Sequence, residues 1–112
     1  MISRRPSIFI YTHRPDPDFL REVQAGIEEE NVASEVFEME EADADLLAYD
    51  ACEASMMGSG IGISGENVVL QMRGRKPKES VCGVHMPTFA ACRIIGSNSA
   101  RVIKKQCLRD LE

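Results

Sequence analysis

The 112-residue sequence predicts an α/β fold: a mostly parallel sheet covered by helices, with one strand running against the others. Three observations carry this expectation. Short β-rich runs alternate with stretches of helical periodicity, in the order β-α-β-α-β-β-β-α. One pair of runs is separated only by turn residues, which makes a hairpin and reverses a strand. The length suits one domain spanning residues 1–112, and no repeat, linker or low-complexity segment divides it.

Each element has a local cause. Ser7-Ile8-Phe9-Ile10-Tyr11 carries no charge and suits a strand buried on both faces. Asp16 before Pro17 reads as a helix start: the carboxylate caps free N–H groups and proline fits the first helical position. Phe19, Leu20, Val23 and Ile27 then recur at helical spacing, and Asn31 can close the helix in the left-handed conformation. Glu35-Val36-Phe37-Glu38 reads as a short strand. The acidic residues 38–45 lead into a second helix with Leu46, Leu47, Ala51 and Ala54 on one side, its first turn suited to the helix dipole. Gly60-Ile61-Gly62-Ile63 is a third strand, Ser64-Gly65-Glu66-Asn67 a turn, and Val68-Val69-Leu70-Gln71-Met72 the return strand. After a polar loop over residues 73–79, Val81-Cys82-Gly83-Val84 is a fifth strand. A last helix runs from about Thr88 to Gln106, interrupted at Gly96-Ser97-Asn98.

Composition excludes several classes. The net charge is −5 and the pI about 5.1, against a general binder of nucleic acid or anionic membrane. Aromatic residues make up 5% with no Trp, which disfavours base stacking. Cys52, Cys82, Cys92 and Cys107 form no C-x-x-C, and no apolar run is long enough for a signal segment or a membrane span. The expected setting is the cytosol, with reduced thiols.

Several motifs point to chemistry on paper only. Gly60-x-Gly62-x-x-Gly65 matches a dinucleotide fingerprint, but that motif needs a helix N-terminus after its glycines, and here another strand follows. Close sheet packing and turn formation are the better reading. Cys82-x-x-His85 with Cys92 offers three metal ligands without a fourth, and Cys82 falls in an expected core strand. His13 follows a strand, yet no Ser, Cys or carboxylate stands at nucleophile–base spacing. Arg73, Arg75, Lys76 and Lys78 form a local basic patch, read as a solvated loop before an acidic-partner contact. Arg101, Lys104 and Lys105 fall where the helix dipole favours cations.

Glu28-Glu29-Glu30 fits poorly with simple stability. Three carboxylates at a helix C-terminus face the negative end of the macrodipole, at about 0.3–1 kcal/mol each. Either solvent screens them, or at least one meets a cation outside the chain: a basic side chain or a hard metal ion. The residue types alone do not choose among the three.

An ordered set of segments resembles a known family. Arg21-Glu22-Val23 leading to Gly26-Ile27-Glu28-Glu29-Glu30, the Gly60-Ile61-Gly62-Ile63 strand, and residues 96–104 followed by Leu108-Arg109-Asp110-Leu111 are similar to the small subunit of the diol/glycerol dehydratase-reactivating factor. The resemblance runs from about Ile8 to Leu111. It implies a three-layer α/β/α fold with a five-stranded mixed sheet, one strand antiparallel. It also implies a chaperone-like role without catalytic or cofactor-binding residues in this chain. In that family the small subunit pairs with a large ATPase subunit that holds ATP or ADP. It then leaves, so that the large subunit grips the cobalamin-dependent dehydratase and lets damaged cobalamin escape. By position in the motif Glu29 becomes the ligand of an inter-subunit magnesium. Glu28, Glu29, Glu30, Ser97, Asn98 and Arg101 become the expected partner interface. Asn31 stands where the family more often has glycine, and the basic loop departs from a more neutral one. The resemblance is compatible with residence in a bacterial microcompartment. Two other readings are a medium-subunit-like component of a cobalamin-dependent dehydratase and an unassigned small α/β domain, the latter including an enzyme built on His13 or His85.

Overall fold

The alternation of apolar and helical runs resolves into eight elements. The computed structural model describes residues 6–105 and 108–111; Gln106 and Cys107, expected at the end of the last helix and just beyond it, lie outside the described residues. The elements are β1 (Ser7–His13), α1 (Pro17–Glu29), β2 (Ala33–Glu38), α2 (Ala44–Ala54), β3 (Ser59–Ser64), β4 (Asn67–Met72), β5 (Cys82–His85) and α3 (Phe89–Lys104). The sheet order is β2-β1-β3-β4-β5. β1 pairs in parallel with β2 (Ile10 opposite Val36) and β3 (Ile10 opposite Ile61). β4 is antiparallel to β3 and to β5, so it alone runs against the other four, as the hairpin predicts.

Strand alternation sends alternate side chains to two different layers. Ile8 and Ile10 of β1, Ile61 and Ile63 of β3, and Val68 and Leu70 of β4 form one buried cluster with Phe19, Val23 and Ile27 of α1 and Cys92 and Ile95 of α3. The opposite face receives α2 over Gly60 and Gly62. A Cβ on Gly60 would collide with the backbone of Ala51 and Cys52; on Gly62 it would collide with that of Ala44 and Ala48. Two glycines of the nucleotide-like motif therefore serve close packing, and the third, Gly65, takes a positive φ of 54° in the hairpin turn.

The same close approach corrects the expected face of α2. Leu47, Ala48, Ala51 and Cys52 are buried, while Leu46 and Ala54 are exposed. The face that rests on the strand backbone carries Leu47, Ala48, Ala51 and Cys52, and Leu46, one position before Leu47, falls outside it and turns outward. α3 also departs from expectation, because it is continuous through Gly96-Ser97-Asn98. There α1 and α3 touch backbone to backbone: a Cβ on Gly96 would strike the Val23 carbonyl, and one on Gly26 the Arg93 carbonyl. The glycine is a contact point and not a break.

Helix ends follow their sequence signals. Asp16 Oδ1 accepts from the N–H groups of Asp18 (2.9 Å) and Phe19 (3.1 Å), with Pro17 at the first turn. Asn31 closes α1 at φ 61°. The end of α2 is capped from the basic loop. Arg73 Nη2 donates to the carbonyls of Cys52 (3.3 Å), Glu53 (3.2 Å) and Ser55 (2.5 Å). A guanidinium here satisfies carbonyls that the helix leaves unbonded and meets the negative end of the dipole. Arg73→Ala is expected to lower stability by about 1–2 kcal/mol, read as a shifted urea midpoint. The corresponding change at Lys78, which is exposed in the same loop, is expected to stay within about 0.5 kcal/mol.

Candidate functional site

In open α/β sheets ligands favour the crevice at the carboxyl ends of strands where the order reverses, here beside β1 and β3. This crevice is bridged by backbone. The Gly65 N–H donates to the His13 carbonyl (3.1 Å), and the Asp16 N–H donates to the Gly65 carbonyl (2.9 Å). His13 Nδ1 donates to the Met39 carbonyl at 2.9 Å, and His85 Nδ1 bonds Asn67 Oδ1 at 2.7 Å. Both rings anchor neighbouring segments. Burial pushes the thiols of Cys52 and Cys92 up to about 11 and raises that of Cys82, which disfavours the thiolate that a metal requires. Among the described residues no group of three or more His, Cys, Asp and Glu is placed to hold a metal ion.

The acidic end of α1 is organised differently. β1 and β5 point the same way, so the helices that follow them return side by side in the same direction. Phe19 meets Phe89 at one end (ring centroids 6.1 Å apart), and the terminal glutamates of α1 meet the later turns of α3 at the other. The facing stripe of α3 carries Arg93, Ser97, Arg101 and Lys104, spaced to share one side of a helix.

These neighbours divide the three carboxylates. Glu30 is engaged by its own chain: Ser97 Oγ donates to its Oε2 at 2.6 Å and Arg101 Nε at 3.1 Å, and its side chain is 13% exposed. Lys104 Nζ donates to the Glu30 backbone carbonyl at 2.5 Å. Glu29 is 44% exposed and held only by long ion pairs, 3.4 Å to Arg93 Nη1 and 3.8 Å to Arg109 Nη1. Arg93 is itself anchored on Glu22 Oε1, at 2.8 Å through Nη2 and 3.0 Å through Nε. The Glu28 side chain is exposed and has no hydrogen bond or ion pair among the described residues, while its carbonyl accepts from the Asn31 N–H at 2.9 Å.

The triplet therefore does not face the helix dipole uncompensated. Arg93, Arg101, Lys104 and Arg109, from the same chain, supply the cations that the residue pattern alone left unplaced. Ser97 and Asn98, expected on the partner surface with Arg101, are buried at 0% and 6% exposure. Asn98 clamps the C-terminal segment in both directions: Nδ2 donates to the Arg109 carbonyl (2.9 Å) and Oδ1 accepts from the Arg109 N–H (2.7 Å). That clamp carries Arg109 to Glu29.

Hydrogen bonding from Ser97, then Arg101 and the charges of Arg101 and Lys104, holds the Glu30 carboxyl below the usual carboxylate range against its desolvation. A carboxyl lowered on folding contributes stability that is present above its unfolded pKa, about 4.3, and is lost as pH falls through the folded value. Glu30→Gln is expected to flatten that acid limb in urea-unfolding curves taken between about pH 6 and pH 3, with little change in slope at neutral pH. An acid limb identical to that of the unaltered chain would contradict the assigned bonding.

A family model described as dehydratase medium subunit matches residues 5–109. Two solved structures share the fold. One is described as glycerol dehydratase reactivase, with TM-score 0.91 and 20% identity. The other is diol dehydratase-reactivating factor complexed with ADP and Mg2+, with TM-score 0.88 and 24% identity. Each similarity covers 96% of this chain and 100% of the other. A search of curated proteins gave no significant match.

Proposed function

The chain belongs to the dehydratase medium subunit family, and on that premise we propose that it is the small subunit of a chaperone-like reactivating factor. In this role it pairs with a large ATPase subunit and exchanges places with a diol or glycerol dehydratase, so that damaged cobalamin is released. The observation that carries the reading is the match in shape along the whole of two reactivase chains, with TM-scores of 0.91 and 0.88. The ADP and Mg2+ of one of those complexes suit a nucleotide held by the large partner. This chain is then a regulatory binding protein without an active site of its own, working in the cytosol. No helix among the described residues is long and apolar enough to cross a membrane.

The chemistry asked of the chain is modest. Subunit exchange needs two mutually exclusive partners of comparable affinity, with nucleotide biasing the balance between them. Glu29 suits a shared magnesium by its position in the motif, and it is accessible and only loosely paired. Magnesium takes hard oxygen ligands and often only one or two carboxylates. The triplet leaves only Glu28 and Glu29 open among the described residues at this end, so the large subunit would supply most of the ligands. Glu28 and Arg101 would touch the partner directly. Glu30, Ser97 and Asn98 act from behind, fixing the end of α1 and the segment that bears Arg109.

A medium-subunit-like component of a cobalamin-dependent dehydratase is the second reading, favoured by the family's own description. Recovery of the chain from its native cytosol with and without ATP or ADP separates the two. The proposed role predicts a co-purifying ATPase whose association changes with nucleotide. Recovery of a cobalamin enzyme alone, with no ATPase, would replace that role by the second.

A further inference from the structure

Among the described residues one surface is left open, and it lies across the sheet from α1 and α3. β2 is an edge strand, and α2 covers β1, β3 and β4 but leaves β2 bare on its side. On that side Phe9, Tyr11 and Phe37 form a three-ring cluster, with centroids 5.0 Å (Phe9–Phe37), 5.6 Å (Tyr11–Phe37) and 6.3 Å (Phe9–Tyr11) apart. Phe37 is 36% exposed. The ladder itself is half used. The Met39 N–H donates to the Thr12 carbonyl at 2.7 Å, and the Phe37 carbonyl accepts from Thr12 Oγ1 at 3.2 Å. That parity turns the odd-numbered residues of β2 toward β1 and leaves Ser34, Val36 and Glu38 with N–H and C=O on the outer side.

Charge selects what can come there. No Lys, Arg or His occurs between Arg21 and Arg73, a stretch that contains all of β2 and α2 together with Glu38, Glu40, Glu41, Asp43, Asp45 and Asp50. Asp50 lies near enough to Tyr11 to raise its phenol pKa, after the larger effect of burial. Within β2 itself the carboxylates are Glu35, which accepts from Ser7 Oγ at 2.7 Å, and Glu38, which accepts from Thr12 Oγ1 at 3.1 Å and the Arg14 N–H at 3.2 Å. With the acidic residues that follow, they oppose pairing with a second copy of the same strand. They favour a strand that brings cations, and exposed aromatic faces beside them accept guanidinium or ammonium groups.

We infer that the open edge of β2 receives an extended, Arg/Lys-bearing segment of another polypeptide, which joins the sheet as a sixth strand and lays basic side chains over Phe37 and Tyr11. Main-chain bonds to Ser34, Val36 and Glu38 would supply the docking, and the aromatic and acidic surround the selection. The inference does not rest on the reactivase reading, since Glu29 and the α1–α3 stripe belong to the other layer.

The test uses the full chain and two synthetic peptides of about seven residues, the usual strand length, one alternating Arg with Val and the other Glu with Val. Amide exchange is followed residue by residue. With the basic peptide at about ten times its dissociation constant, exchange at Ser34, Val36 and Glu38 is expected to slow about tenfold. The acidic peptide should leave it unchanged. Val36→Pro removes one outward N–H without touching the β1–β2 ladder, so it should fold and lose the effect at Ser34 and Glu38. Phe37→Ser is the companion variant, expected to weaken the basic peptide several-fold. The inference is overturned by no slowing with the basic peptide, by equal slowing with the acidic one, or by undiminished slowing in both variants. Protection of these amides without peptide, together with a doubled mass in sedimentation, would assign the edge to a second copy and overturn it equally.

Discussion

Gly96→Ala is expected to destabilise the chain by about 3 kcal/mol or more, although alanine is the better helix former by about 1 kcal/mol. The reason lies between helices. The added methyl would occupy the position of the Val23 carbonyl, with the Val23 carbonyl carbon 2.9 Å away and the Ile27 nitrogen 3.2 Å. These are backbone atoms on the buried face of α1, so no side chain can swing aside. α1 and α3 must separate, and their separation opens the layer made by Val23, Ile27 and Ile95. Gly26→Ala meets the same obstacle from the other side, against Arg93 and Ser97. Urea unfolding of either variant reads the loss directly. A midpoint at or above that of the unaltered chain would mean that helix propensity outweighs the contact, and would refute the crossing as described.

That contact explains why part of the fold was legible in the sequence and part was not. Features set by neighbours in the chain could be read in advance. Asp16-Pro17 starts α1, Asn31 ends it in the left-handed conformation, and the Gly65 turn reverses β4. Features set by the approach of distant elements were ambiguous. Gly96 looks like a helix break from its own propensity and becomes a crossing point only beside Gly26. Leu46 looks like a core residue until α2 settles on Gly60 and Gly62 through Leu47, Ala48, Ala51 and Cys52, which leaves Leu46 on the outer side.

The candidate site divides in the same way. The concentration of carboxylates at the end of α1 is plain in the sequence, and so is its conflict with the helix dipole. Its resolution is not, because Arg93, Arg101, Lys104 and Arg109 lie more than sixty residues further along. The spacing of Arg93, Ser97, Arg101 and Lys104 on one stripe was the available signal. It gained meaning only with the parallel course of α1 and α3, which places that stripe against the glutamates. Ser97 and Asn98 belong to the same helix, but they face inward and hold other residues in place.

This arrangement bears on Glu29→Gln, which under the proposed role is expected to weaken magnesium-dependent pairing with the proposed ATPase partner by about thirtyfold, or about 2 kcal/mol. The substitution keeps the shape of the side chain and removes its charge. Its effect on the isolated chain should stay within about 0.5 kcal/mol, since the Arg93 and Arg109 contacts of Glu29 are long and exposed. Loss of pairing with an unchanged urea midpoint would therefore separate ligation from folding. Arg109→Ala should act in the opposite direction. A guanidinium 3.8 Å from the carboxylate competes with an incoming cation, so its removal should move the magnesium titration of pairing to lower concentration. The two variants distinguish a carboxylate that binds a metal from one that merely balances arginines. If Glu29 did only the latter, Glu29→Gln would leave the magnesium dependence intact and Arg109→Ala would not shift it.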